Sequence, residues 1–409
     1  MNPVNYRHSQ RRVRLALHGL ILLLITAAVG GALIPSPLYP GTSVDPAPPT
    51  SSIGALTTQL GGPDLLGTAI SISQAVYPAA ARARAVILVP EDDWRAGLVA
   101  AALTGSPVNA PILPVPAGPM PSEAVEEIER LNPRGISGDG GIQVLAVGNV
   151  DPQVLDQVNQ MGLRLRKIDG ATPAVLAERV DHYRAILTGN HPDQVLIVPV
   201  DFPEYATIAA SWAAQSGHPI LFVQGATLPL ATRNALDLRP TEAFMYVLGP
   251  EKILPRDVAE AMVFFGHVQR IPGDDPFEMA TAFARYTDRG TLLPWWFGAT
   301  PRIFGWGVSG PGHHFIFVNI EEPMHAVIAS GLSSRGTHGP LLWIEKDHVP
   351  EPTTEFLATT RPAGGPRPDP LLNRGWLIGA ENSITLATRH RIDKQLRAVR
   401  PQEALIHHE

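Results

Sequence analysis

The sequence predicts an α/β protein of three tandem parallel-sheet units in a pseudo-threefold arrangement, following an N-terminal transmembrane helix. Three observations predict it. Short uninterrupted apolar runs recur, "AVILVP" (85–90), "QVLIVPV" (194–200) and "FIFVNI" (315–320), of the kind found in strands buried on both faces. Each is followed by an acidic turn, an Ala-rich helical run, and a second strand opening on "PIL" or "PLL". Gly62, Gly170 and Gly273 then mark equivalent helix starts about 105 residues apart, the period of a repeated supersecondary unit.

The elements follow in order. Residues 1–14 carry Arg7, Arg11, Arg12 and Arg14 with no acid, and "LALHGLILLLITAAVGGALI" (15–34) is long enough, at about 30 Å as a helix, to span a bilayer. This predicts a signal-anchor with a cytoplasmic basic segment and an extracytoplasmic remainder, hence a single-pass protein of the cell membrane and envelope. A cleaved signal peptide, cut within "TAAVGGA", is the rival reading. Residues 35–54 are Pro-rich and read as a semi-rigid linker.

The first repeat covers 55–167, the second 168–269 and the third 270–398, with 399–409 as a tail. Within each, the acids after the first strand (Glu91, Asp92 and Asp93; Asp201 and Glu204; Glu321 and Glu322) precede the helical runs "WRAGLVAAAL", "EYATIAASWAAQ" and "MHAVIASGLSS". Acids there favour a helix N-terminus; as a functional alternative they are sugar or cation ligands. The small residues of these helices suit close packing at an interface shared by the three units. A third strand in each unit closes on glycine, at Gly148, Gly249 and Gly379. Thr172 and Asp275 stand as N-caps, with Pro173 and Pro276 at the first helical position. The third repeat alone holds an aromatic insertion, "LLPWWFGATPRIFGWG" (292–307), open to three readings, a glycan platform, a contact with the membrane surface, and a brace of the third unit against the first, of which bracing is favoured.

Composition narrows the function classes. The 409-residue chain is 44% hydrophobic and 17% charged, as a folded protein is, and its net charge of −6 argues against nucleic-acid binding. With no cysteine, disulfides and thiolate metal sites are excluded. No G-x-S-x-G, HExxH or phosphate-cradling G-x-x-x-x-G-K-[ST] pattern occurs, so neither catalytic residues, metal ligands nor a cofactor are assigned. Histidines crowd the third repeat (His313, His314, His325, His338, His348), and Glu321 lies four residues before His325. They support the alternative of an enzyme or a small-ligand or metal binder working from that repeat; a structural scaffold for protein partners is a third possibility.

The order of strand, acidic turn, Ala-rich helix, PIL strand, strand ending in glycine and "GxxxxxTA" helix resembles the cell-wall-binding repeat type 2 family. That family occurs in triplicate in surface-layer and cell-wall proteins of Gram-positive bacteria, and the resemblance covers about 55–398. It implies three Rossmann/Toprim-like units packed as a pseudo-trimer, without enzymatic activity, that bind a cell-wall polymer or envelope glycan through the PILL motif. By position the motif falls on Pro111, Ile112 and Leu113; on Pro219, Ile220, Leu221 and Phe222; and on Pro340, Leu341, Leu342 and Trp343. The fourth position departs from leucine, being Pro114, Phe222 and Trp343. Ile and Leu at these positions also suit a core, with Pro entering a strand where its missing N–H costs little. Gly170 and Gly273, just ahead of helix N-termini, are candidate anion contacts, although a capped helix start explains them equally.

Overall fold

The computed structural model describes residues 51–53, 56–78, 81–239, 242–290, 303–335, 339–362 and 372–397. Strands β1 (Ser51–Ile53) and β2 (Thr57–Leu60) lead into helix α1 (Leu65–Val76). The chain continues through β3 (Val86–Pro90), α2 (Trp94–Ala100), β4 (Ile112–Val115), α3 (Ser122–Leu131), β5 (Val144–Val147), α4 (Pro152–Gln160), β6 (Leu165–Ile168) and α5 (Pro173–Thr188). The same succession returns as β7 (Gln194–Pro199), α6 (Pro203–Ala206), α7 (Ala209–Ser216), β8 (Ile220–Val223), α8 (Leu230–Asp237), β9 (Ala243–Val247), α9 (Arg256–Met262), β10 (Gly266–Arg270) and α10 (Pro276–Arg285). It returns once more as β11 (His314–Asn319), α11 (Pro323–Ser333), β12 (Leu341–Ile344), α12 (Glu351–Thr359), β13 (Arg374–Ile378) and α13 (Leu386–Leu396).

Three α/β units result. Sheet I has the order β4-β3-β5-β6, sheet II β8-β7-β9-β10, and sheet III β12-β11-β13-β2-β1. Every pair is parallel except β1 with β2. The fourth position of sheet III is therefore taken by β2, which pairs Thr57–Leu60 with Gly375–Ile378 of β13. The backbone N–H of Leu56 and the hydroxyl of Thr57 both donate to Asp393 of α13, which fastens this strand to the end of the third unit.

The central strands are apolar because helices cover both faces. Val86–Val89 and Val195–Val198 have no solvent exposure at all. The helix that follows the last strand of one sheet crosses to the next: α1 lies on β4, α5 on β8 and α10 on β12. The Ala-rich helices α2, α7 and α11 touch one another where the three units meet. Their small side chains are required there. A Cβ on Gly97 of α2 would stand 2.6 Å from Cγ1 of Val327 in α11, and one on Gly105 would stand 2.6 Å from the carbonyl oxygen of Ala214 in α7.

Phe304 and Trp306, the described end of the aromatic insertion, brace it against the second unit. Both pack edge-on against Trp212 of α7, at 5.3 and 5.2 Å between ring centroids, and Phe304 also stacks on Tyr246 and His218.

The expected membrane location is corrected here. Among the described residues no helix is long and apolar enough to cross a bilayer. The longest described helix, α5, has 16 residues, or about 24 Å, and mixes Arg, Glu and Asp with its apolar positions. The span predicted over 15–34 lies outside the described residues.

Candidate functional site

The three PIL segments take the same place in their sheets. Each forms the edge strand beside the first strand of its unit, with Ile112 opposite Ile87, Ile220 opposite Leu196, and Leu341 opposite Ile316. The carbonyls of Pro111, Pro219 and Pro340 accept from the N–H groups of Ile87, Leu196 and Ile316 at 2.9–3.0 Å, so each proline joins the ladder by the one backbone group it has. Ile112, Leu113, Ile220, Leu221, Phe222, Leu341, Leu342 and Trp343 are all at most 3% exposed, covered on one face of the strand by the crossing helix of the neighbouring unit and on the other by helices of their own. The fourth motif position reaches across unit boundaries. Phe222 meets the ring of Trp94 edge-on at 6.3 Å, and Nε1 of Trp343 donates to the carbonyl of Glu204 at 2.8 Å. These side chains join the units; the groups they leave to solvent are the turns that follow, 224–227 and 345–348.

Gly170 and Gly273 lie against helix starts. A Cβ on Gly170 would stand 2.4 Å from the N atom of Leu176, and one on Gly273 2.6 Å from that of Met279. Amides in the first turns of α5 and α10 are served by side chains: Thr172 accepts from Val175, and Asp275 from Phe277 and Glu278. Gly62 repeats the arrangement ahead of α1, where Asp64 accepts from Gly67.

Open parallel sheets place their sites beyond the carboxyl ends of the strands, at the point where strand order reverses. In sheet III that point lies between β11 and β13, and a cleft of about 300 Å³ opens there. Glu322, His325 and Pro323 come from the turn after β11 and the first turn of α11; Asn382 and Ser383 come from the turn after β13. Asp64 and Thr68, at the start of α1, form a further wall, and Glu91, after β3 of the first unit, faces in from across the unit boundary. Gly379, at φ +108, makes the turn out of β13 and lets His325 and Ser383 close over the strand end.

The polar groups of this cleft are ordered by one carboxylate. Oε2 of Glu322 stands 2.7 Å from Nδ1 of His325, and Oε1 accepts from the hydroxyl of Ser383 at 2.9 Å. Burial alone would raise the Glu322 carboxyl, but the bonds from His325 and Ser383 and the nearby charge of Lys346 outweigh it and hold it below the usual glutamate range. An ionised carboxylate accepts only, so Nδ1 of His325 carries a proton and donates to Glu322. Ser383 donates to Glu322 and makes no bond to the imidazole, so the trio is not a relay that activates a hydroxyl nucleophile. It is an arrangement that fixes an imidazole and a hydroxyl against one carboxylate.

The other units have no such trio. The residues that hold the places of Glu322 and His325 in the succession of elements are Asp93 and Ala96 in the first unit and Phe202 and Tyr205 in the second. Asp93 caps α2 through Arg95 and Ala96, and the hydroxyl of Tyr205 reaches the carbonyl of Asp274. Of the third-unit histidines, the structure brings His325 alone to the cleft; His313 and His314 lie at the opposite end of β11, and His338 lies outside the described residues. His325 pairs with Glu322 and not Glu321, because Pro323 begins the helix and puts the residue three positions back over the ring. Among the described residues no group of three His, Asp or Glu side chains is placed to hold a metal ion.

Sequence reading singled out Glu91, Glu322 and His325 but missed Asp64, Asn382 and Ser383. Asp64 carries an N-cap signal, Asp followed by an apolar helical run, that would have marked it. Ser383 carries none, since its role depends on β11 and β13 being neighbours.

Together these features define a class: an α/β body of three like units, with small-residue helices at their meeting point and a polar cleft at the switch point of one sheet. The same fold is found in Cwp8 from Clostridium difficile, with a TM-score of 0.66 and 17% identity over 84% of this chain and 52% of that one. Cwp6 from Clostridium difficile is similar in the same way, with a TM-score of 0.65 and 17% identity over 84% of this chain and 48% of that one. The chain spans about half the length of each of these structures. No protein-family model matches it, and no curated protein matches its sequence.

Proposed function

We propose that the chain is a non-catalytic, cell-wall-associated module whose three units, in pseudo-threefold arrangement, hold a wall polymer or envelope glycan without covalent chemistry. The observation that carries this reading is the repeated architecture: three sheets of one strand order, each PIL strand at an edge under the helix of its neighbour, as the triplicate wall-binding repeat implies. The likeness in fold to two Clostridium difficile cell-wall proteins supports it. Because the PIL side chains are buried, we assign polymer contact to the turns and clefts at the strand ends that they position.

Co-sedimentation of the full chain with purified wall sacculi, intact and stripped of accessory polymers, tests the reading. Pelleting with intact wall that is lost on stripping is the expected result for an accessory polymer, and equal retention on both preparations assigns the ligand to the peptidoglycan itself. Failure to pellet with either preparation overturns wall binding.

A further inference from the structure

The three helices that cross the PIL strands bring three different chemistries to those joints. Eleven residues after Gly62, Gly170 and Gly273 stand Ser73 in α1, Asp181 in α5 and Ala284 in α10. In the second unit Asp181 meets Nη1 of Arg239 at 2.7 Å, both side chains enclosed. In the third, Ala284 is apolar and wholly buried. In the first, the hydroxyl of Ser73 is wholly buried and has no partner in the protein. We propose that the joint between α1 and β4 holds one internal water molecule, bound to the hydroxyls of Ser73 and Tyr77. This is independent of the wall reading.

Ser73 and Tyr77 are four residues apart, one helical turn, and line a single cavity with Ala69, Ile72, Pro111 and Ile328. About 10 Å³ of it is open to the centre of a water molecule, which is the room one water needs and too little for a larger ligand. An apolar cavity of that size would stay dry. This one has two hydroxyls on residues 0% and 1% exposed, and neither oxygen makes a hydrogen bond. A buried hydroxyl left unpaired is costly. Nearer partners stand by and are not used. Thr207 and Ser216 turn their hydroxyls onto the carbonyl four residues earlier, as a serine or threonine in or beside a helix often does; Ser73 does not. The Arg335 guanidinium lies over the face of the Tyr77 ring, 4.9 Å from its centroid, and is not bonded to the hydroxyl. Burial pushes the Tyr77 pKa up to about 12 in spite of that charge, so the phenol keeps its proton and donates. A serine hydroxyl both donates and accepts, so one water between the two satisfies each.

The test combines crystallography of the full chain and of Ser73→Ala, at a resolution that shows ordered solvent, with denaturant unfolding of both and of Tyr77→Phe. The expected map has a solvent peak within about 2.7–3.0 Å of both hydroxyl oxygens, and that peak is lost in Ser73→Ala. Each substitution should lower the folding equilibrium constant about fivefold, and the double variant should lose less than the product of the two, because both remove bonds to one water. No peak, a peak that touches only one hydroxyl, or a hydroxyl bonded instead to Arg335 or to the carbonyl of Ala69 overturns the inference. So does an unchanged or raised unfolding midpoint in either single variant, the result expected when an unpaired buried hydroxyl is replaced by an apolar group. The unfolding comparison decides by itself, since a dry joint and a hydrated one predict opposite signs.

Discussion

Leu56 and Asp393, 337 positions apart in sequence, are joined by a hydrogen bond of 2.8 Å from the backbone N–H of one to the carboxylate of the other. Asp393 also accepts from Thr57 and from Arg397, so one side chain fastens β2 to α13. Asp393→Asn should cost about 1–3 kcal/mol, the range for a buried bond left with the wrong partner. Hydrogen exchange locates the loss: amides of 57–60 and of β13 should lose protection while those of β3 and β5 keep theirs. Uniform loss across all three sheets would contradict a local fastening.

The same carboxylate sets an acid limit. Burial tends to raise the Asp393 pKa, but the bonds from Leu56, Arg397 and Thr57 prevail and lower it. A carboxyl depressed in the folded state stabilises fully above its unfolded value and loses that contribution as pH falls through the folded one. Acid should therefore release β2 early, seen as a difference in acid stability that disappears in the Asn variant.

Gly97 has no room to grow. An added Cβ would lie 2.6 Å from Val327, so Gly97→Ala should destabilise by about 1–3 kcal/mol through overpacking between units. Val327→Ala, itself a cavity mutation, should recover part of the loss when combined with it. Additive losses in thermal unfolding of the double variant would show that the two side chains do not compete.

Trp343 separates packing from hydrogen bonding. Trp343→Phe removes the bond to the Glu204 carbonyl and should cost about 1 kcal/mol, whereas Trp343→Ala leaves a cavity and should cost about 3–5 kcal/mol. Denaturant unfolding of the two variants checks the ratio. Equal costs would mean that the ring contributes little between the units.

His218 should make the second unit sensitive to moderate acid. Its ring stacks on Phe304 and accepts from Trp212, and burial, with the nearby Arg184 charge, pushes its pKa down to about 3. The unfolded chain binds this proton near 6.5 and the folded one only near 3, so stability is full above the first value and declines as pH falls between them. The slope from this group is about 1.4 kcal/mol per pH unit at most. His218→Phe keeps an aromatic stack and should flatten the decline; an unchanged slope would assign it to other groups.

Much of the fold could be read from local pattern. Continuous apolar runs marked the central strands, and the alanines and Gly97 marked the helices that meet between units, because both depend on a residue's immediate periodicity. The home of β2 could not be read this way. "TTQL" is a short, half-polar run, and its membership of sheet III follows from pairing with residues more than 300 positions away. Trp343 shows the corresponding limit at the site: a large aromatic after "PLL" is compatible with a sugar platform or with a buried joint, and only the neighbouring unit decides that it is fully enclosed. His325 was visible as a histidine near acids, but its partner depended on where Pro323 starts the helix.

The exchange of β2 into sheet III makes the order of synthesis differ from the order of assembly. Sheets I and II are each built from one continuous stretch and can close while the chain is still emerging, whereas the strand that emerges before them must wait for β13. Until then its edge toward β13 is unpaired, and its half-polar sequence reduces the hazard of mispairing during that wait. A circular permutant opened between α1 and β3, with the present ends joined, would turn all three sheets into continuous stretches and should fold faster without gaining stability.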